Sequence, residues 1–301
     1  MELNKILVVI DADTDEQPAL TRAVQLAEKS GAGLELILAD FNAYLEDGFY
    51  FDPVQAKQLR YEHGDQRLKE LENLAEPLRK QGLEVSALTA WGNPPHAEIV
   101  RRASESKPDL VLKSTRHHNK IARLLLSNAD WELVRYCPAP LLLVKGGDWP
   151  ETPLFLASVD PDHVHDKPAS LDQRIIAAAR GLASAFSGSV QLFHSAWIPP
   201  LSGVFPLTPD SAAESSKLQE LADSSGLSAD DCHWSDEEIS QSLPAYAVDS
   251  GASVVVMGAI SRSRLDRILI GNTAEKVLDA LECDVLVIKP EKMPAQSQIL
   301  I

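Results

Sequence analysis

Gly258 closes the apolar run SVVVMG, and thirteen residues later Gly271 precedes Asn272 and Thr273 at the head of a helical pattern. Arg262, Arg264 and Arg267 stand between the two glycines. A residue without a Cβ lets the backbone approach an anion, and the first turn of a helix offers it unpaired N–H groups. In such a loop Gly258 and Gly271 would admit phosphate groups, and Arg262, Asn272 and Thr273 would hold them. Charge placement agrees. Residues 151 to 301 contain ten basic and 21 acidic side chains, yet the three arginines and Lys276 fall within fifteen consecutive positions. Two plainer readings stand beside this one. A short charge run is often only a solvated loop, and Asn272 with Glu275 three residues on reads as a capping pair.

Other chemistries lack their residues. The chain has no GxSxG nucleophile elbow, no HExxH and no Walker A lysine motif, so no enzyme activity is expected. Three scattered cysteines, Cys137, Cys232 and Cys283, form neither a disulfide framework nor a metal knuckle, and read as small buried hydrophobes. His163 and His165 are too few for a metal site, which needs three or four ligands. Asp11 and Asp160 each end an apolar run, where an acid meets a ribose or a helix N-terminus more readily than it performs catalysis. A net charge of −16 excludes a nucleic-acid partner, which requires a basic face.

The elements that must position these residues come in two copies. The runs ILVVIDADTDE (6 to 16) and LFLASVDPDHV (154 to 164) match, and residues 109 to 145 lie on 253 to 289 without a gap at an offset of 144. A unit of roughly 145 residues is therefore duplicated, and 301 residues suffice for two ordinary cores. Short continuous apolar runs predict buried strands, in the second half at 154 to 159, 190 to 197, 253 to 257 and 284 to 288, with a weaker candidate near 230 to 234. Helical spacing marks 175 to 186, and also 53 to 82 through Leu59, Leu68, Leu71, Leu74 and Leu78. Alternating strands and helices predict two tandem doubly wound α/β domains with parallel sheets, at 1 to 146 and 152 to 291. The linker KGGDWPETP is short, and the apolar last strands, 141 to 144 and 285 to 288, are expected to pair as antiparallel neighbours, an intramolecular pseudo-dimer. The opening MELNKILVVIDADTDE has neither a secretory leader nor a membrane span, which places the protein in the cytoplasm.

This pattern resembles that of the universal stress proteins, in their tandem-domain form. Nucleotide-binding members of that family show a glycine, two residues, a second glycine, nine residues, a third glycine and then serine or threonine after the fourth strand. Here Gly258, Ser261, Gly271 and Asn272 occupy those places. The resemblance implies an adenine nucleotide alpha hydrolase-like, Rossmann-like fold and a non-catalytic regulatory role in stress. It also implies that ATP or ADP, without a metal site, is bound weakly by the carboxyl-terminal domain as a switch. Asp160 would then lie toward the ribose or adenine. In the first half the counterparts are Ser114, His117, Ser127 and Asn128, so every glycine is gone and nucleotide binding is not expected there. The alternatives are a lipid or small-molecule carrier, with 53 to 82 and 197 to 209 as lids, and a protein-interaction module with a vestigial nucleotide site. A response-regulator receiver needs an aspartate ending its third strand, and the sequences there are LTAW (88 to 91) and CHWS (232 to 235).

Overall fold

The computed structural model describes residues 1 to 12, 14 to 45, 52 to 115, 126 to 161, 170 to 197, 210 to 259 and 272 to 289. The chain divides into two compact units, Glu2–Ser114 with Asn128–Val144, and Met1 with Thr115–Ser127 and Lys145–Ile301. Among the described residues no helix is long and apolar enough to cross a membrane.

The amino-terminal unit runs β1 (Lys5–Val9), α1 (Pro18–Ser30), β2 (Gly33–Asp40), α2 (Pro53–Lys80), β3 (Val85–Trp91), α3 (Pro95–Ser106), β4 (Leu110–Ser114), α4 (Asn128–Tyr136) and β5 (Leu141–Val144). Its strands lie in the order β3-β2-β1-β4-β5, each pair parallel. The carboxyl-terminal unit repeats this with β6 (Leu154–Ser158), α5 (Leu171–Phe186), β7 (Ser189–Ser195), α6 (Ser211–Ser224), β8 (Cys232–Ser235), α7 (Ile239–Asp249), β9 (Val254–Gly258), α8 (Asn272–Ala280) and β10 (Asp284–Ile288). Its order is β8-β7-β6-β9-β10, again parallel. In both units the winding reverses beside the first strand, and ligands of such sheets bind outside the carboxyl ends at that point.

The central strands β1 and β9 are almost wholly apolar because helices cover both faces. Ile6, Leu7 and Val8 of β1 and Val254, Val255 and Val256 of β9 are fully buried. Helix α1 buries a stripe of Ala19, Leu20, Ala23, Leu26 and Ala27, has a proline in its first turn, and stops at Gly31, whose φ of 76° ends the helix in the left-handed region. Helix α2 is different. Its N-terminus is capped by the Asp52 carboxylate, which accepts from the amides of Val54 and Gln55. Of its 28 residues only Ala56, Leu71 and Ala75 are buried, so one face is only loosely filled where it lies over β2 and β3.

The segment after β5 is stitched to the carboxyl-terminal unit. Asp284 accepts from the Lys145 amide (2.8 Å) and from the Trp149 indole (2.9 Å), and Trp149 packs edge-on against Phe155 and Phe186. The buried Lys145 ammonium donates to the carbonyl of Leu278 (2.6 Å) and to that of Leu281, at the end of α8 where a helix leaves carbonyls unpaired. Burial pushes this lysine down to about 8 against the pull of Cys283, Asp279, Asp284 and Glu282, and burial raises the Cys283 thiol to about 11.

A folded-state value of about 8 for Lys145 lies below its unfolded value of 10.5, so between them the unfolded chain binds more protons. Stability should therefore rise with pH across that window, by up to about 1.4 kcal/mol per unit for one proton, while below pH 8 the full cost of the buried charge persists. Unfolding of the wild type and of Lys145→Met, measured from pH 7 to 10.5, should show the difference shifting toward the wild type above pH 8. A difference independent of pH would contradict the burial of a charged ammonium there.

Candidate functional site

In the carboxyl-terminal unit the end of β6, the end of β9 and the start of α8 bound the crevice. Asp160 follows β6, and its amide donates to the Asp172 carboxylate (3.3 Å), a buried side chain in the first turn of α5. Gly258 is the last residue of β9. A Cβ at Gly258 would lie 2.7 Å from Leu171 Cδ2 and 3.3 Å from Ile175 Cδ1, so α5 packs directly on this backbone. Its place in the fold thus already requires glycine, independent of any ligand. Helix α8 begins at Asn272, and Thr273 is exposed in its first turn. Ser261, Arg262 and Gly271 of the expected loop, and the neighbouring Arg264 and Arg267, lie outside the described residues, as do His163 and His165. Among the described residues no three His, Cys, Asp or Glu side chains are grouped to hold a metal. None of the three cysteines is in a disulfide; Cys137 is buried and Cys232 and Cys283 are half-buried.

The amino-terminal counterpart is built from the same positions with different chemistry. Val9 pairs with Ile37 and Ser158 with Phe193, while Val8 pairs with Leu112 and Ala157 with Val256, so β1 matches β6 in register and Ser114 takes the place of Gly258. The Ser114 hydroxyl, buried, accepts from the Ala19 amide at 3.1 Å. It thereby occupies a donor in the first turn of α1 that an anion would otherwise use. Beside it Lys113 forms a buried ion pair with Asp130 of α4 at 2.7 Å and donates to the Ser114 carbonyl. The corresponding residues of the other unit are Met257 and Ala274, neither of which is charged. Asp11 keeps one shared feature: its amide donates to Gln17 Oε1 (3.1 Å), as that of Asp160 does to Asp172.

Two clefts open at the carboxyl ends of β1 to β3, under α2. The larger, about 730 Å³, lies beside Asp11 and is lined by three carboxylates, Asp11, Asp15 and Glu70, against one guanidinium, Arg67. Its surplus of negative charge repels a polyphosphate. The smaller, about 320 Å³, lies between α2 and the ends of β2 and β3. Arg67 and Leu38 line both. Arg67 donates through Nε to Asp40 (3.1 Å) and through Nη1 to Glu70 (2.9 Å), and His63 Nε2 lies 2.8 Å from the same Asp40 oxygen. Burial alone would raise the Asp40 carboxyl, but the bonds from His63, the Phe41 amide and Arg67 outweigh it and hold it below the usual carboxylate range. In the carboxyl-terminal unit the position of Leu38 is taken by His194, buried between the Val159 carbonyl (3.3 Å) and Glu214 (3.4 Å) of α6. The residues under α2 escape sequence reading because their spacing is that of an ordinary helix. Gly64 in its middle and Pro77 near its end are the irregularities visible in it.

The description of the universal stress protein family matches residues 2–145 and again 164–289. The chain belongs to the universal stress protein family. Within it, the chain is similar to universal stress protein E of Photorhabdus laumondii, 28% identical over 95% of both chains. It is equally similar to universal stress protein E of Escherichia coli K12, 28% identical over 95% of this chain and 94% of that one. Among solved structures, a Pseudomonas aeruginosa PAO1 protein described as functionally unknown is 29% identical, with a TM-score of 0.75 over 96% of this chain and 93% of its own. A universal stress protein from Archaeoglobus fulgidus, 14% identical, shares the fold with a TM-score of 0.69 over 96% and 99% of the two chains. The tandem fold expected from the duplication is therefore that of the family along nearly the whole chain.

The two halves supply their own test of the Lys113 and Asp130 pair. Removing one partner of a buried pair leaves an uncompensated charge, so Lys113→Met alone should cost about 3–5 kcal/mol. Adding Asp130→Ala, which copies Met257 and Ala274 into the first unit, should recover most of that loss. Denaturant titration of the two single variants and the double variant gives the coupling directly. Additive losses would mean that the pair is not what holds α4 to the end of β4.

Proposed function

We propose that this chain is a non-catalytic, cytoplasmic regulator of stress response whose carboxyl-terminal unit binds an adenine nucleotide, ATP or ADP, weakly as a switch, and whose amino-terminal unit does not. The contrast at one position carries the reading. Where the first unit places the Ser114 hydroxyl on the Ala19 amide, the second has Gly258, which brings no hydroxyl to compete for the first-turn amides of α5, although Leu171 and Ile175 pack against its backbone. The acidic lining beside Asp11 supports the same asymmetry. In the second unit Asp160 is assigned to the ribose or adenine side. Gly258 and Gly271 admit the phosphates past Ser261, and Arg262, Asn272 and Thr273 hold them. Family membership supports a regulatory role over a catalytic one.

Calorimetry on ligand-free protein should detect one ATP per chain with an affinity on the order of millimolar, about −4 kcal/mol. Gly258→Ser with Gly271→Ser should abolish the heat. Because a side chain at 258 must also displace Leu171, Arg262→Ala serves as a second variant that leaves that packing untouched and should weaken binding about tenfold. Ser114→Gly with Ser127→Gly should create little binding. Two nucleotides per chain would refute the asymmetry. A flat titration at millimolar ATP would leave a vestigial site and move the function to protein contacts.

A further inference from the structure

Arg174 stands at the start of α5, and among the described residues its Nη1 is sealed from solvent without a hydrogen-bond partner. A buried donor left unpaired forfeits its hydration for nothing, and one that carries charge forfeits more, so such a group calls for a partner. The turn around it shows where that partner would come from. Asp172, two residues earlier, accepts from the Asp160 amide just past the end of β6. Leu171 and Ile175, three residues before Arg174 and one after, close on Gly258 at the end of β9. The start of α5 thus lies over the strand ends that bound the crevice. Asp172 does not serve the guanidinium, since side chains two apart on a helix do not face each other.

The amino-terminal unit has no such group. Gly31 and Ser187 close α1 and α5 in the left-handed region by donating to the carbonyls of Ala27 and Ala183, and Ile37 and Phe193 hold the same place beside Val9 and Ser158. The two helices therefore correspond residue for residue, and Arg174 falls where Pro18 stands, which has neither a charge nor an N–H to offer. We propose that Arg174 is a phosphate-binding residue of the carboxyl-terminal crevice, the one that makes it prefer a phosphorylated ligand to the bare nucleoside. A guanidinium offers its N–H groups as a planar fork that matches two phosphate oxygens, and Nη1 gains there the acceptor it lacks within the protein. The inference rests on the nucleotide reading and adds to the residues of the loop a charge from the helix that packs on Gly258.

The full-length wild type, Arg174→Met and Arg174→Lys are each titrated with ATP and with adenosine, followed by amide NMR shifts. Methionine keeps an unbranched apolar stem and drops the charge. Arg174→Met should bind ATP about tenfold more weakly than the wild type, with Arg174→Lys between the two, since an ammonium keeps the charge but not the fork. Adenosine should bind all three alike. Without ligand, Arg174→Met should melt at or above the wild type, because it removes the unpaired donor, whereas losing an arginine that served only the fold would lower the melting temperature. Undiminished ATP binding in Arg174→Met, an equal loss for adenosine, or a lower melting temperature of that variant would each overturn the role of Arg174 and leave the nucleotide reading in place. A wild type that takes no ATP up to about 10 mM would overturn both.

Discussion

In each unit the first helix must land on the carboxyl end of the fourth strand, and the contact it makes there governs what the crevice can do. The sheet has no slack to offer, because its central strands are fully buried and their backbones are committed to parallel neighbours. On the first unit the landing is polar: Ser114 reaches up to an amide of α1. On the second it is apolar: Leu171 and Ile175 of α5 close on Gly258 so tightly that a methyl group would not fit without displacement. A hydroxyl at this position satisfies an amide in the first turn of the helix. A glycine satisfies the packing and brings no hydroxyl to the helix. The same fold thus makes two helix contacts of opposite character at one position, and the charges follow, with the Lys113 and Asp130 pair present only where the hydroxyl is.

The fold was readable in the sequence because the signals that set it are local and repeated. Continuous apolar runs followed from burial on both faces, and the constant offset of 144 tied the ends of the units together. Even the weak third strand of the second unit is present, as the four residues Cys232–Ser235 at the sheet edge, all of them only half-buried, which blurs the apolar run.

The site was less legible, for a physical reason. A glycine after a strand says only that a Cβ is not tolerated, and the sequence does not name the neighbour that excludes it. Gly258 reads as room for phosphate, and the neighbour found there is a leucine side chain. Gly64 reads as a flaw in a leucine-spaced helix, because the cleft it opens is made by Leu38, Asp40 and Trp91, which come from strands 24 or more residues away in the chain. The bond from Gln17 or Asp172 to the strand-end aspartate amide escapes for the same reason: two different side chains, at different distances along the chain, do one job.

Arg67 stands between the two clefts as a common wall, its guanidinium shared by Asp40 on one side and Glu70 on the other. An occupant of either cleft that draws this side chain toward itself alters the shape and charge of the other. Linkage then requires reciprocity: whatever factor the first occupant imposes on the affinity of the second, the second imposes on the first. A single long side chain would so make two shallow hollows under one helix into a heterotropic pair, with the sign set by which carboxylate loses its partner.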